Sequence, residues 1–306
     1  MNESSAEKGR GRVVTGTLLT IASALIFGLT PMLNTATYDM GGNPMTMTFY
    51  RSFIAFPVIW VMLKFRKTSL KISFKEGRDL ALAAVFNITT SMLLFSSYAY
   101  IGIGMGTTLH FLYPVFTIII GYVAFRDRLG RIKIISLIMA TVGMIMATGS
   151  SGFNMTGITV AAASGLTYAG YLLSLEKSSI GKMDTMKAML YICIFSSLFT
   201  FITDLFADEV AYVLPAKAMI YTVIFAVLNS CVAHVILLKG VKYIGAGNAS
   251  IYSMFEPVSS VIGGAVILHE STSPMKMLSC IVIFAAVLIP AVSDIRNDGQ
   301  VTVQRD

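Results

Sequence analysis

Apolar runs of roughly 20 residues, separated by short polar links, recur along almost the whole chain. Each is long enough to cross the ~30 Å hydrocarbon core of a bilayer as a helix rising ~1.5 Å per residue. Length and apolar content together predict ten spans, at residues 14–37, 44–63, 79–101, 104–125, 132–149, 154–175, 187–206, 217–238, 247–268 and 274–293. Links such as Gly102-Ile103 and 150–153 are too short to hold an extramembrane domain, and the longest, Lys64 to Arg78, has 15 residues. The expected fold class is an all-α membrane protein.

The runs repeat. A shift of 143 places Tyr100, Ile101, Gly102, Gly104, Pro114, Val115, Ile119, Gly121 and Val123 on Tyr243, Ile244, Gly245, Gly247, Pro257, Val258, Ile262, Gly264 and Val266, nine identities in 24 positions. Similar composition gives roughly two to three. A shift of 141 puts Gly16, Ala22, Ser23 and Leu25 on Gly157, Ala163, Ser164 and Leu166, so the first span corresponds to the sixth. Five spans per copy is an odd number, which turns the second copy upside down. The expected organisation is two inverted five-helix repeats of transmembrane helices, 14–149 and 150–293, between tails 1–13 and 294–306. Inverted repeats characterise secondary transporters, which hold substrate near the midplane between the halves.

Composition agrees, with 55% apolar and 13% charged residues. The formal charge of +7 does not call for nucleic acid, because the basic residues occupy the links. With the N-terminus inside, 20 of the 23 Lys and Arg fall on the cytoplasmic side, Lys217 and Lys276 fall outside, and Arg51 lies within a span. That bias orients the chain in a plasma (cytoplasmic) membrane with both termini cytoplasmic. The first apolar stretch follows Lys8, Arg10 and Arg12 but outruns a signal-peptide core, so it is expected to remain a span. Cys193, Cys231 and Cys280 sit inside apolar runs without metal-ligand spacing and read as packing residues.

The costliest residues are Glu256 and Pro257, adjacent in the run from Gly247 to Leu268. A carboxylate at membrane depth costs at least about 2.5 kcal/mol, and proline deprives the Ser253 carbonyl of its helical partner. Both ask for a polar cavity. Helical spacing sets Tyr252, Ser253, Glu256 and Ser260 on one side, with repeat equivalents Leu109, His110, Tyr113 and Thr117. Asn87 and Ser91 align with Ser230 and His234, Asn229 adjoins them, and Asn34, Tyr168 and Tyr171 add further hydrogen-bonding groups.

The functional reading is a central pocket, with Asn34, Asn87, Ser91, His110, Tyr113, Tyr168, Tyr171, Asn229, Ser230, His234, Tyr252, Ser253 and Glu256 as the substrate-binding set. Glu256 either binds a cationic group or carries a coupling proton; the competing reading makes it an interhelical clamp. His110 and His234 are proton-relay candidates or packing residues. Arg51, roughly 10 Å into its span, meets a substrate carboxylate, pairs with Glu256 or snorkels to the interface. Glycines at 102, 104, 106, 245 and 247 suit tight hairpins. The small face of Ala140, Gly143 and Ala147 suits close packing against the tenth span or another subunit.

Pro114 in the fourth span, Glu256-Pro257-Val258 in the ninth and the closing acids Asp127 and Glu270 resemble the EamA family of the drug/metabolite transporter superfamily. The resemblance covers nearly the whole chain and implies a carrier of amino acids or other small metabolites, working without ATP. Two departures are His269 before Glu270 and Arg126 before Asp127, where the family often has Gly. The resemblance also implies that Glu256 serves a role common to many substrates. The expected function is a secondary active transporter of a small polar or amphipathic metabolite, an amino acid being one candidate, by proton-coupled export through alternating access. The alternatives are a gradient-independent exchanger or facilitator and a non-transporting scaffold. Neither a nucleotide loop nor a helical His-Glu-x-x-His, paired aspartates or Gly-x-Ser-x-Gly is present, so no catalysis, metal or cofactor is expected. The expected partners are the small-molecule substrate, the lipid bilayer and protons.

Overall fold

The computed structural model describes residues 3–127, 130–147, 154–267 and 274–301. Every regular element among them is helical. In order these are α1 (Glu3–Leu29), α2 (Pro31–Tyr38), α3 (Pro44–Phe65), α4 (Phe74–His110), α5 (Tyr113–Phe125), α6 (Arg131–Ala147), α7 (Met155–Lys177), α8 (Thr185–Ala207), α9 (Ala216–Ala226), α10 (His234–Ser253), α11 (Glu256–Ile267) and α12 (Pro274–Val301). A π-helical stretch, Val227–Ala233, joins α9 to α10. Among the described residues, seven helical stretches are long and apolar enough to cross a membrane, and Met277–Ser293 is a shorter apolar helix.

Two features separate these elements from ten independent spans. The expected hairpins at 102–103 and near 245 are so short that helical hydrogen bonding resumes at once, so α4 runs from Phe74 to His110 and Ala216–Ser253 forms one 38-residue stretch. The second hairpin is marked by Gly245, whose φ of 81° and ψ of 159° break the helix inside α10. Only glycine adopts that backbone without strain. Conversely, the expected ninth span, 247–268, is not one helix, because it breaks between α10 and α11.

The repeat-related elements pack reciprocally. α1 lies against α10 as α4 lies against α7, α1 meets α11 as α7 meets α5, and α3 with α8 and α6 with α12 pair across the two copies. Both large contacts are antiparallel: Ser23 Oγ donates to the Ala233 carbonyl at 3.0 Å while Gly16 abuts Tyr243 and Ile244, and Thr90 meets Thr167 at 2.8 Å while Gly157 abuts Tyr100 and Ile101. Equivalent glycines make these approaches possible, since a Cβ on either Gly16 or Gly157 would lie 2.6 Å from an isoleucine methyl. The Gly143 face packs on Ile283 and Ser279 of α12, the intramolecular option of the two expected.

The links that flank α3 and α8 are tied down at both ends. At one end Tyr191 Oη donates to the Leu70 carbonyl at 2.6 Å and Asp79 accepts from Ser179 N and Oγ at 3.1 and 2.8 Å. At the other, Asp204 accepts from Glu209 N, Val210 N and Tyr212 Oη, and Thr46 Oγ1 accepts from Ala211 N at 2.9 Å. The bond to Asp204 pushes the Tyr212 phenol up to about 12. Large apolar side chains such as Val123, Ile138, Leu205 and Ile281 remain exposed on the perimeter, where a bilayer covers them.

Candidate functional site

The fourth and ninth expected spans break at repeat-equivalent positions. In one, the Leu112 and Phe111 amides turn back to Leu109 and Thr107 before α5 starts at Tyr113-Pro114. In the other, the Met254 amide returns to Ile251 and the Phe255 amide to Tyr252, at 3.1 and 3.2 Å, before α11 starts at Glu256-Pro257. Proline causes both breaks by withholding an amide and preferring the first helical turn. Glu256 thereby sits at the positive end of a half-helix, where a negative charge is favoured. Gly28 of α1 allows this approach, since any side chain there would collide with the Glu256 carbonyl and Ser259.

A cavity of about 350 Å³ lies beside the break, and a second of about 140 Å³ adjoins it through shared walls at Phe27, Arg51, Ser91, Phe95, His110, Asn229 and Glu256. The larger extends past Ser260 and Thr107 toward Tyr38 and Thr48, the ends joined by the 39–43 link. An aromatic chain crosses behind the smaller one. His110 lies 5.5 Å from Tyr113, Tyr113 is edge-on to Tyr168 at 4.7 Å, Tyr168 neighbours Tyr171, and His234 is edge-on to Phe27 at 4.7 Å.

Two ionisable groups, one basic and one acidic, face this space. Arg51 Nη2 donates to Asn87 Oδ1 at 2.7 Å and to Ser91 Oγ at 3.3 Å, while its Nε is buried without a partner. The Glu256 carboxylate makes no hydrogen bond and no ion pair among the described residues. Arg51 therefore does not neutralise Glu256. The two histidines are held by neutral groups, His110 Nδ1 by Ser164 Oγ at 3.0 Å and His234 Nδ1 by the Asn229 carbonyl at 2.9 Å.

Of the residues singled out by sequence, Asn34, Arg51, Asn87, Ser91, His110, Tyr113, Tyr168, Asn229, His234 and Glu256 line the two cavities. Tyr171, Ser230, Tyr252 and Ser253 are buried in the surrounding wall. The expected stripe of Tyr252, Ser253, Glu256 and Ser260 does not form, because the break at Met254-Phe255 resets the helical register between the two pairs. Thr30, Tyr38, Thr48, Tyr98, Thr107 and Ser260 also line the larger cavity, and only Ser260 carried a signal in the sequence, through its spacing from Glu256. The closing acid Glu270 and its neighbour His269 lie outside the described residues. No cluster of three or more His, Cys, Asp or Glu among the described residues could hold a metal.

The opposite end of the bundle carries an ion lattice. Lys177 Nζ donates to Asp127 Oδ1 at 2.7 Å and contacts Glu176 Oε1 at 3.0 Å, and Glu176 Oε2 accepts the Ala246 amide at 2.6 Å, one residue past Gly245. This lattice ties the end of α7 to the end of α5 and to the kink in α10. Beside it is a chamber of about 160 Å³ lined by Thr117, Asp127, Glu176 and Asn248. Thr117 is the repeat equivalent of Ser260, so equivalent residues face the two opposite chambers.

The sequence model of the EamA-like transporter family matches residues 14–149 and again 155–291. The chain belongs to this family. Two EamA repeats, helices able to cross a membrane and named relatives make it a multi-pass membrane transporter. It is 26% identical to the uncharacterized transporter YcbK of Bacillus subtilis, over 87% of this chain and 89% of that one. It is 24% identical to the uncharacterized transporter sll1319 of Synechocystis, over 65% and 62% of the two chains. A solved crystal structure shares the fold with a TM-score of 0.77 at 14% identity, covering 90% of this EamA-like chain and 96% of that one.

Proposed function

We propose that this EamA-like protein is a secondary active carrier that exports a small polar or amphipathic metabolite by alternating access, coupled to protons through Glu256. The observation that carries this reading is an unpaired carboxylate at a half-helix start, facing a cavity on one side of the break while an ion lattice bridges three helices on the other. Intramembrane acids cost too much to persist unpaired without a function, and discontinuous helices place such groups at transporter midplanes.

The architecture in this reading is ten spans in two inverted five-helix halves, 14–149 and 150–293. The antiparallel, reciprocal contacts of α1 with α10 and α4 with α7 support it. The bias of Lys and Arg puts both termini in the cytoplasm of a cell bounded by the cytoplasmic membrane. The Glu256 cavity then faces outward and the Lys177 lattice faces the cytoplasm. Arg51 and Glu256 in one cavity suit a molecule with an anionic and a cationic end, which favours amino acids among small metabolites.

The test is a thermal-shift screen of purified protein against a metabolite library at two pH values, run on wild type and Glu256→Gln. A cargo that binds only the folded carrier stabilises it by RT ln(1 + [L]/Kd), about 2.7 kcal/mol at a hundredfold excess over Kd. Zwitterions should raise the Tm of wild type, with a pH dependence absent from the variant. A hit list free of charged metabolites, or the same pH dependence in both proteins, refutes the reading.

A further inference from the structure

We propose that Asn87 and Ser91 are positioning residues that hold the Arg51 guanidinium away from Glu256, so that both groups stay available to cargo. The inference rests on the transport reading of the cavity and assigns its polar wall a specific task. Arg51 and Glu256 border the same two cavities, yet no ion pair joins them. Opposite charges in a poorly screened interior attract strongly, and a flexible arginine across an open space reaches its counter-ion unless something restrains it.

The restraint is on α4. Asn87, buried and one helical turn before Ser91, accepts from Arg51 Nη2 at 2.7 Å, and Ser91 Oγ lies 3.3 Å from the same nitrogen. Both partners are neutral. They fix the direction of the guanidinium without cancelling its charge, which a carboxylate in their place would do. Ser91 Oγ is itself oriented, 3.3 Å from the Asn87 carbonyl. The repeat equivalents are Ser230 and His234, and His234 is engaged by the Asn229 carbonyl, so the second half offers Arg51 no matching cradle. The side chain that sets the cavity's charge pattern is thus held by one half and its counter-charge is carried by the other.

The consequence is a prediction about Glu256 that needs no identified substrate. Dicyclohexylcarbodiimide is an apolar reagent that adds to carboxylic acids within membranes, and a carboxylate drawn into an ion pair with Arg51 is withdrawn from it. In wild-type protein in proteoliposomes, mass spectrometry should find Glu256 labelled. In Asn87→Leu the released Arg51 pairs with Glu256 and labelling slows at least tenfold; Ser91→Ala slows it less. Asn87→Leu with Arg51→Met restores the wild-type rate, which also shows that the leucine variant folds. A merely structural role for Asn87 predicts unchanged or faster labelling, because loosened packing admits more reagent. Either outcome overturns the proposal, as does failure of the double variant to recover. Failure of the metabolite screen with the labelling pattern intact would instead discard the cargo assignment and keep the positioning role.

Discussion

Replacing Lys177 by Met removes the centre of the ion lattice without adding a charge. Its two contacts, at 2.7 Å to Asp127 and 3.0 Å to Glu176, are not equal in effect. The Asp127 side chain is 41% exposed, so solvent screening leaves that arm about 0–1 kcal/mol. The Glu176 arm joins sequence neighbours at the end of α7 and moves with that helix, so it does not distinguish one state from another. A loss of up to about 1 kcal/mol from one state of a two-state carrier shifts its population up to about fivefold. The readout is Asn248→Cys, which faces the chamber beside the lattice, in protein whose Cys193, Cys231 and Cys280 are replaced. An impermeant maleimide applied to the cytoplasmic face of inside-out vesicles should modify the introduced thiol up to about fivefold faster in Lys177→Met, while Ser260→Cys, probed from the other face, should slow. Equal rates of Asn248→Cys modification with and without Lys177 would refute the lattice as a gate.

Gly245→Ala should lower thermal stability by about 1–2 kcal/mol, because a Cβ is strained at φ 81°; an unchanged unfolding temperature would remove the kink from the account. Gly28→Val should cost about 1–3 kcal/mol by overpacking against Glu256 and Ser259, measured by thermal unfolding in detergent, and should weaken cargo binding by displacing the start of α11. Gly143→Leu should destabilise the monomer similarly, since its Cβ already lies 2.8 Å from Ile283; stability unaffected in the monomer would move that face to another interface.

The sequence made legible what depends on local chemistry. A carboxylate next to proline in an apolar run marked where a polar cavity lies, and the repeat marked the equivalent Tyr113-Pro114, although both spans were expected to be continuous helices. The reset of register at Met254-Phe255 was invisible because spacing rules assume one continuous helix, and that assumption put Tyr252 and Ser253 on the Glu256 face. The π-helical stretch had the same effect on a smaller scale: it brought Asn229 to the cavity and left Ser230 buried behind it. The lattice escaped notice for a different reason. Asp127, Lys177 and Ala246 are 50 or more residues apart in sequence, and only the folded bundle joins them. Tyr171 was expected to face the same centre as Tyr168, but it is fully buried in the wall.

Coupling at Glu256 is the central claim, and flux in proteoliposomes tests it most directly. Wild-type protein should drive uptake of a cargo found by the thermal-shift screen when a pH gradient is imposed. Glu256→Gln keeps the size and the helix break of the native residue, so it should fold and yet show no gradient-driven flux. Undiminished gradient-driven uptake by that variant would contradict the account.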